Sequence, residues 1–247
     1  MISIIVPTLN EEEHLKFLLL SLKDQMSIRY ETLIIDGGSV DKTKNIAQRY
    51  GAKVIVLPTC SEFPSRNIGA KMAKGELLFF TCADVILPNN LLRNVVEKFK
   101  RRPELIALSG PGYSLDAPFF GKIEYFLYNI IRLMIANLPK SVRRFSTSTN
   151  FLVVRKTCFE KTEGFNVNEI NADGIMGKRL SKMGEVAFLP ETFVYISARR
   201  MKKMGLLGFN KHYMYVLENL FFFLSNTQIL RTFKLRSKLR HPKMHHN

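Results

Sequence analysis

The sequence predicts an α/β protein, a mostly parallel sheet flanked by helices, and three observations carry that expectation. Apolar runs of strand length alternate with segments of helical periodicity from Ile2 to Ser109. The run Leu77-Leu78-Phe79-Phe80 is apolar without alternation, as in a strand covered on both faces. A chain of 247 residues, 46% of them hydrophobic, is long enough for one large core with an appendage.

Ile2 to Val6 is rich in β-branched residues and closed by Pro7, so it is the first expected strand. Asn10 with Glu13 three positions on forms a variant capping box, and Leu15, Leu18, Leu19 and Leu22 follow at helical spacing. Glu31 to Ile35 is the second strand. It ends in Asp36-Gly37-Gly38-Ser39, where glycines permit a tight turn and Ser39 is placed to cap a helix running to about Tyr50. Lys53 to Leu57 is a strand, Ser65 to Lys74 a helix stopped by Gly75, and Glu76 to Thr81 the central strand. That β-α-β-α-β-α-β order builds a parallel sheet through right-handed crossovers.

A helix from Asn89 to Arg102 and a strand from Leu105 to Ser109 follow. Beyond Gly110-Pro111-Gly112, Ile123, Phe126, Leu127, Ile130, Ile131 and Met134 recur at spacings of one, three and four, which predicts an amphipathic helix. Its apolar side suits either a core or a membrane. Asn150 to Val154, Glu185 to Leu189 and Phe193 to Ser197 are expected strands, and Asp173 to Met183 a helix ended by Gly184. The domain division expected is 1–200 for the body, split into halves 1–110 and 111–200, with 201–247 as a basic amphipathic helical tail.

The formal net charge is +16, which favours phosphate-bearing partners. It is unevenly placed: from Arg199 onward, eleven Lys and Arg face one acid, Glu218. The basic excess sits in a tail without signs of a base-reading module, so nucleic acid is not an expected partner. Tyr213, Tyr215 and Phe221-Phe222-Phe223 beside Arg231, Lys234, Arg236, Lys238 and Arg240 suit a helix on an anionic membrane surface, or a dimerisation helix with a basic end. Cys60, Cys82 and Cys158 form no CxxC pair, which speaks against a disulfide framework or zinc site and for a reducing compartment. The start Met1-Ile2-Ser3 shows no signal-peptide pattern, and no stretch has the length of a spanning helix. A cytoplasmic protein, peripheral at the inner membrane face, is the resulting expectation.

Polar groups collect where the strands end. The first strand closes in Pro7-Thr8-Leu9-Asn10-Glu11, the second in Asp36, the fourth in Cys82-Ala83-Asp84. Parallel strands put all three at one edge, where ligands of open α/β sheets bind. Thr8, Asn10 and Asp36 are placed for a nucleoside, and Asp84 for a divalent cation against phosphate oxygens. Read locally, Asp84 is equally a turn or capping acid, and Arg66 a surface charge. Neither G-x-G-x-x-G nor G-x-x-x-x-G-K-[ST] occurs, so nucleotide binding would rest on side chains.

Pro7-Thr8-Leu9-Asn10-Glu11-Glu12, Asp36-Gly37-Gly38-Ser39-Val40-Asp41, Ser65-Arg66-Asn67-Ile68-Gly69-Ala70 and Cys82-Ala83-Asp84, in that order, resemble the family 2 glycosyltransferases of the GT-A, Rossmann-like fold. The resemblance spans about residues 1 to 200. It implies inverting transfer of a sugar from a UDP- or GDP-sugar, with Mg2+ or Mn2+, onto a lipid-linked or glycan acceptor. It places Thr8, Asn10, Glu11 and Asp36 at the nucleoside, Arg66 near the diphosphate and Asp84 on the metal, with Pro7, Ser39 and Ala83 also among the nucleotide-sugar-binding residues. Gly164-Phe165, Asn171-Ala172-Asp173, Arg179-Leu180 and Gly184 resemble the acceptor segment, with Asp173 in the position of the catalytic base. Arg199 and Arg200 resemble the basic motif that closes on the diphosphate. Two positions depart from the pattern: Cys82 stands where the first acid of D-x-D belongs, and Ala172 where a Glu precedes the base. Those departures leave a non-catalytic GT-A homologue that binds nucleotide sugar or glycan as the alternative. A homodimer is compatible with the tail.

Overall fold

The structure, a computed structural model, describes residues 1–25, 28–138, 147–165 and 172–205. The first half runs β1 (Ile2–Thr8), α1 (Leu15–Lys23), β2 (Tyr30–Asp36), α2 (Thr43–Arg49), β3 (Lys53–Val56), α3 (Glu62–Met72), β4 (Leu77–Phe80) and β5 (Val85–Ile86). It continues with α4 (Leu91–Arg101), β6 (Leu105–Ser109), β7 (Gly112–Ser114) and α5 (Phe119–Ala136). Then come β8 (Leu152–Arg155), α6 (Lys156–Glu160), α7 (Ala172–Ser181), β9 (Glu185–Phe188) and β10 (Val194–Ile196).

Seven strands form one sheet in the order β3-β2-β1-β4-β8-β6-β9. Every neighbouring pair is parallel except those of β8, which runs antiparallel to both β4 and β6. The expected mostly parallel α/β sheet is therefore present. Thr8 lies opposite Asp36 in the β1–β2 register, so the polar ends of β1 and β2 meet at the edge where β4 also ends. A second sheet, β5-β10-β7, hangs from this edge. Of its strands β10 was expected as Phe193 to Ser197, whereas β5 and β7, like the five-residue α6, fall below the length at which periodicity is readable in sequence.

The apolar strands divide their side chains with period two between two layers. Ile2, Ile4, Val6 and Phe79 pack with Leu15, Leu18 and Leu22 of α1 and Leu91, Leu92 and Val95 of α4. Ile5, Ile35, Leu78 and Phe80 face the other way, toward Ala70 of α3, Phe159 of α6 and Met176 and Leu180 of α7. Phe80 meets Phe159 and Phe165 at ring-centroid distances of 5.0 and 5.1 Å. Helix α3 comes close enough to β1 that a Cβ on Gly69 would lie 2.5 Å from Ile5 Cγ2.

Three local expectations are corrected. Asn10 does not cap α1: its φ is +52°, its Oδ1 accepts from Val40 N, and α1 begins only at Leu15, after His14. Ser39 does not cap α2, which starts at Thr43; its hydroxyl goes to Asp36. Helix α3 begins at Glu62, not Ser65, so Arg66 occupies its second turn.

Helix α5 is inverted relative to an ordinary surface helix. Gly121, Tyr125, Asn129, Arg132 and Ile135 are buried. Asn129 brackets Gly112, donating to its carbonyl at 2.8 Å and accepting from its N–H at 3.3 Å. Arg132 donates to Gly110 O and Ser109 Oγ and lies 4.7 Å over the Phe188 ring. The apolar residues that predicted the helix point outward: Ile123, Phe126, Leu127, Ile130 and Met134 are exposed. A core-facing role for that stripe is thus excluded.

By contacts, Met1–Ala198 is one compact unit and Arg199–Asn247 a second. Of the second, residues 199–205 are described and are helical. The aromatic and basic stretch expected to be amphipathic, 206–247, lies outside the described residues, as does Asn171. No helix among the described residues is long and apolar enough to cross a membrane.

Candidate active site

The loops after β1 and β2 are stitched together, which fixes this side of the edge. Asp36 is fully buried and accepts four hydrogen bonds: from Gly38 N, Ser39 N, Ser39 Oγ and Thr8 Oγ1. Its oxygens therefore serve the turn, and any contact it makes with a ligand competes with those bonds. Gly38 sits at φ +101°, a conformation glycine adopts without strain. Asn10 N donates to Ser39 Oγ and Glu11 N to Thr43 Oγ1, so the Asn10-Glu11 backbone is clamped onto the second loop. Asn10 remains exposed; Pro7 and Glu11 are half-buried and Thr8 is buried.

Arg66 forms the floor of the next part. Its side chain is fully buried, donating from Nη1 to Thr81 O at 2.8 Å and from Nη2 to Glu62 Oε1 at 2.8 Å and Cys82 Sγ at 3.2 Å. Its Nε has no hydrogen-bond partner among the described residues. Burial opposes the charge, but Cys82, Glu62 and Asp173 more than offset it and the guanidinium pKa is raised. Glu62 was not singled out by sequence reasoning. Its signal was its place four residues before Arg66 on one helix, the i, i+4 spacing of an ion pair.

Cys82 occupies the first D-x-D position as a neutral group. Burial pushes its thiol up to about 12, against the pull of Arg66. It donates to Asn150 Oδ1 at 3.3 Å, in the turn before β8. The preceding residue, Thr149, holds Asp173: its N–H and its Oγ1 both donate to Asp173 Oδ2, at 3.2 and 3.3 Å. Asp173 Oδ1 is sealed from solvent and has no partner among the described residues. Burial, followed by the neighbouring Glu62, raises the Asp173 carboxyl to about 6, with Arg66 and the Thr149 bonds pulling the other way. Arg66, Cys82, Asp173 and Glu62 therefore make one electrostatic cluster from three separate segments.

Asp84 lies just past β4 and is half-buried; its carbonyl accepts from Ser197 N at 3.0 Å, tying it to the end of β10. Ala83 is buried, so only its backbone is available to a ligand. Asp116 closes the same corner, accepting from Ala198 N and Ser197 Oγ. Arg199 and Arg200 belong to the second unit and its helical segment 199–205.

The donor set fits a cation held by one carboxylate. Among the described residues no group of three His, Cys, Asp or Glu is arranged to hold a metal alone. A thiol held up to about 12 stays protonated and is committed to Arg66 and Asn150, so a divalent cation bound here would draw its protein oxygen from Asp84. Magnesium and manganese commonly take one or two carboxylates and complete their shell with phosphate oxygens and water.

A seven-stranded, mostly parallel sheet with acids at one edge and a small second sheet closing it defines the class: this is a GT-A fold. A crystal structure of Staphylococcus aureus TarS (residues 1–349) and a solved structure of the mannosyltransferase PcManGT from Pyrobaculum calidifontis, in complex with GDP-Man and Mn2+, share it. Their TM-scores are 0.65 and 0.62 at 17% and 19% identity, covering 92% and 82% of this chain and 66% and 60% of theirs. The chain belongs to Glycosyl transferase family 2, whose sequence profile matches residues 3–159. A dolichol-phosphate mannosyltransferase of Pyrococcus furiosus is 26% identical over 202 residues, 78% of this chain and 56% of that protein. Two further glycosyltransferase relatives, each 34% identical where they align, are covered over only 29% and 18% of their own length.

Proposed function

We propose that the protein transfers a sugar from a UDP- or GDP-sugar to a hydroxyl of a lipid-linked or glycan acceptor, inverting the anomeric carbon. One observation carries the reading: a carboxylate raised to about 6, with one oxygen fixed by Thr149 and the other unpartnered, in the cluster that surrounds Cys82 and Arg66. That oxygen is sealed in this structure, so acceptor binding would have to uncover it; once uncovered it can accept the acceptor's O–H and take its proton as the hydroxyl attacks, and a pKa just below neutrality leaves it both ionised and basic. Arg66 supplies fixed positive charge beneath the site, which favours the anionic leaving group. Asp84 would hold a divalent cation, which when bound offsets diphosphate charge. Pro7, Thr8, Asn10, Glu11 and Asp36, with Ser39, shape the nucleoside side, the last two through the turn they build. The basic tail keeps the enzyme peripheral at the inner membrane face, where a lipid-linked acceptor resides, and the family relation to a dolichol-phosphate mannosyltransferase supports that class of acceptor.

The test is release of nucleotide from a panel of UDP-, GDP- and dTDP-sugars with Mn2+, with and without membrane lipid extract. Turnover of one donor, stimulated by the extract and abolished in Asp173→Asn, is expected; no turnover with any donor would overturn it. A second reading, a non-catalytic nucleotide-sugar or glycan binder, draws on the neutral thiol at Cys82. Tight donor binding by calorimetry without turnover would establish it.

A further inference from the structure

We propose that the outward face of α5 is a docking surface for an anionic lipid bilayer. The helix spends its polar side chains inward, on Gly110, Gly112 and Ser109, and turns its apolar ones to solvent. Phe119 is 73% exposed, Met134 64% and Phe126 54%, and Ile123, Leu127 and Ile130 lie on the same side. At 100° per residue these six fall within a stripe of about 100°. An exposed stripe of that width is what a helix lying in a membrane interface presents, its apolar face sunk to the level of the headgroups.

Charge selects the occupant. Lys122, exposed, borders the stripe. Arg132 is spent inward, but from Tyr125 to Ser146 the sequence carries no Asp or Glu and adds Lys140, Arg143 and Arg144 just past the helix. A second copy of a chain with net charge +16 would bring like charges together, whereas anionic headgroups offset them. Helix α5 packs on β7, β7 pairs with β10, and β10 pairs with β5, which directly follows Asp84. Docking through α5 therefore sets the small sheet, and with it the candidate site, beside the headgroup layer. The inference deepens the lipid-linked acceptor reading, but docking itself is measured without any transfer.

The experiment is co-sedimentation of the full chain with vesicles of phosphatidylglycerol and phosphatidylethanolamine, and with phosphatidylcholine vesicles as reference. Wild type should bind the anionic vesicles at least tenfold more tightly than the neutral ones. Phe126→Glu/Met134→Glu should lose at least tenfold on the anionic vesicles with an unchanged melting temperature, since both side chains are exposed. A second variant, with Lys234, Arg236, Lys238 and Arg240 changed to Gln, should keep its sensitivity to the α5 substitutions. Equal binding by wild type and the α5 variant, or no preference for anionic vesicles, overturns the proposal. So does a lipid-free dimer, seen by analytical ultracentrifugation, that the α5 substitutions dissolve. Donor hydrolysis by the α5 variant should match wild type, so a failure of docking and a failure of the transferase reading are separately visible.

Discussion

Replacing Asp173 by Asn should make the protein more stable at neutral pH while removing transfer. The carboxyl rises from its ordinary 3.8 to about 6 on folding, so the folded state disfavours the ionised form. Below pH 4 the group is protonated whether folded or unfolded, and the substitution changes little. Between pH 4 and 6 the unfolded chain releases its proton while the folded one retains it, so wild-type stability falls as pH rises. Above pH 6 both forms are ionised and the loss is constant, about 3 kcal/mol as an upper bound. Asparagine keeps the shape of the protonated acid and can still accept from Thr149, so it recovers most of that loss. For a domain of this size, 3 kcal/mol corresponds to about 6–12 °C in melting temperature. The assay is thermal unfolding of both proteins at pH 4 and pH 8. The expected result is near-coincident melting at pH 4 and a higher midpoint for the variant at pH 8. A gap that is the same at both pH values, or a less stable variant at pH 8, would refute the placement of Asp173 in a buried, charge-disfavouring site.

Three other outcomes follow from the same geometry. Asp84→Ala should weaken Mn2+-dependent nucleotide binding at least tenfold in calorimetry with little change in melting temperature; unchanged binding would remove Asp84 from the metal. Cys82, half-buried, should resist alkylation at pH 8, read by mass spectrometry, because its thiol is held up to about 12 and only the thiolate reacts; rapid labelling would contradict that raised pKa. Gly110→Ala should destabilise by more than about 3 kcal/mol in urea unfolding, since a Cβ there would lie 1.7 Å from Thr192 O; a stable variant would disprove that contact.

The alternation of strands and helices along the first half of the chain and the edge at which β1, β2 and β4 end were legible because each strand has a strong apolar signature and a polar stop. The roles of individual polar groups were less so. Asn10 resembles a cap in sequence, but the bond it makes is to Val40, thirty residues away. Asp36 looks like a ligand-facing acid until the turn behind it claims both oxygens. Periodicity announced α5 without its orientation, since the same spacing serves a core or an exterior. Arg66 was read as a phosphate partner at a helix start, whereas its neighbours Glu62, Cys82 and Asp173 come together only through packing of α3, β4 and α7. Thr149 and Asn150 gave no signal at all: a short polar turn before a strand is common, and its meaning depends on β8 running backwards.

That reversed strand bears on how the chain acquires its site during synthesis. β8 follows β4 and β6 in sequence yet inserts between them, pairing Phe80 with Leu152 and Leu152 with Ser109. Until it arrives, the strands β1 to β4 can pair among themselves, but β4 is left with an open hydrogen-bonding flank. Nascent chains released before about residue 155 would expose a long apolar edge of the kind that seeds aggregation. The insertion that closes this flank also delivers Thr149 and Asn150, so sheet completion and site assembly are one event.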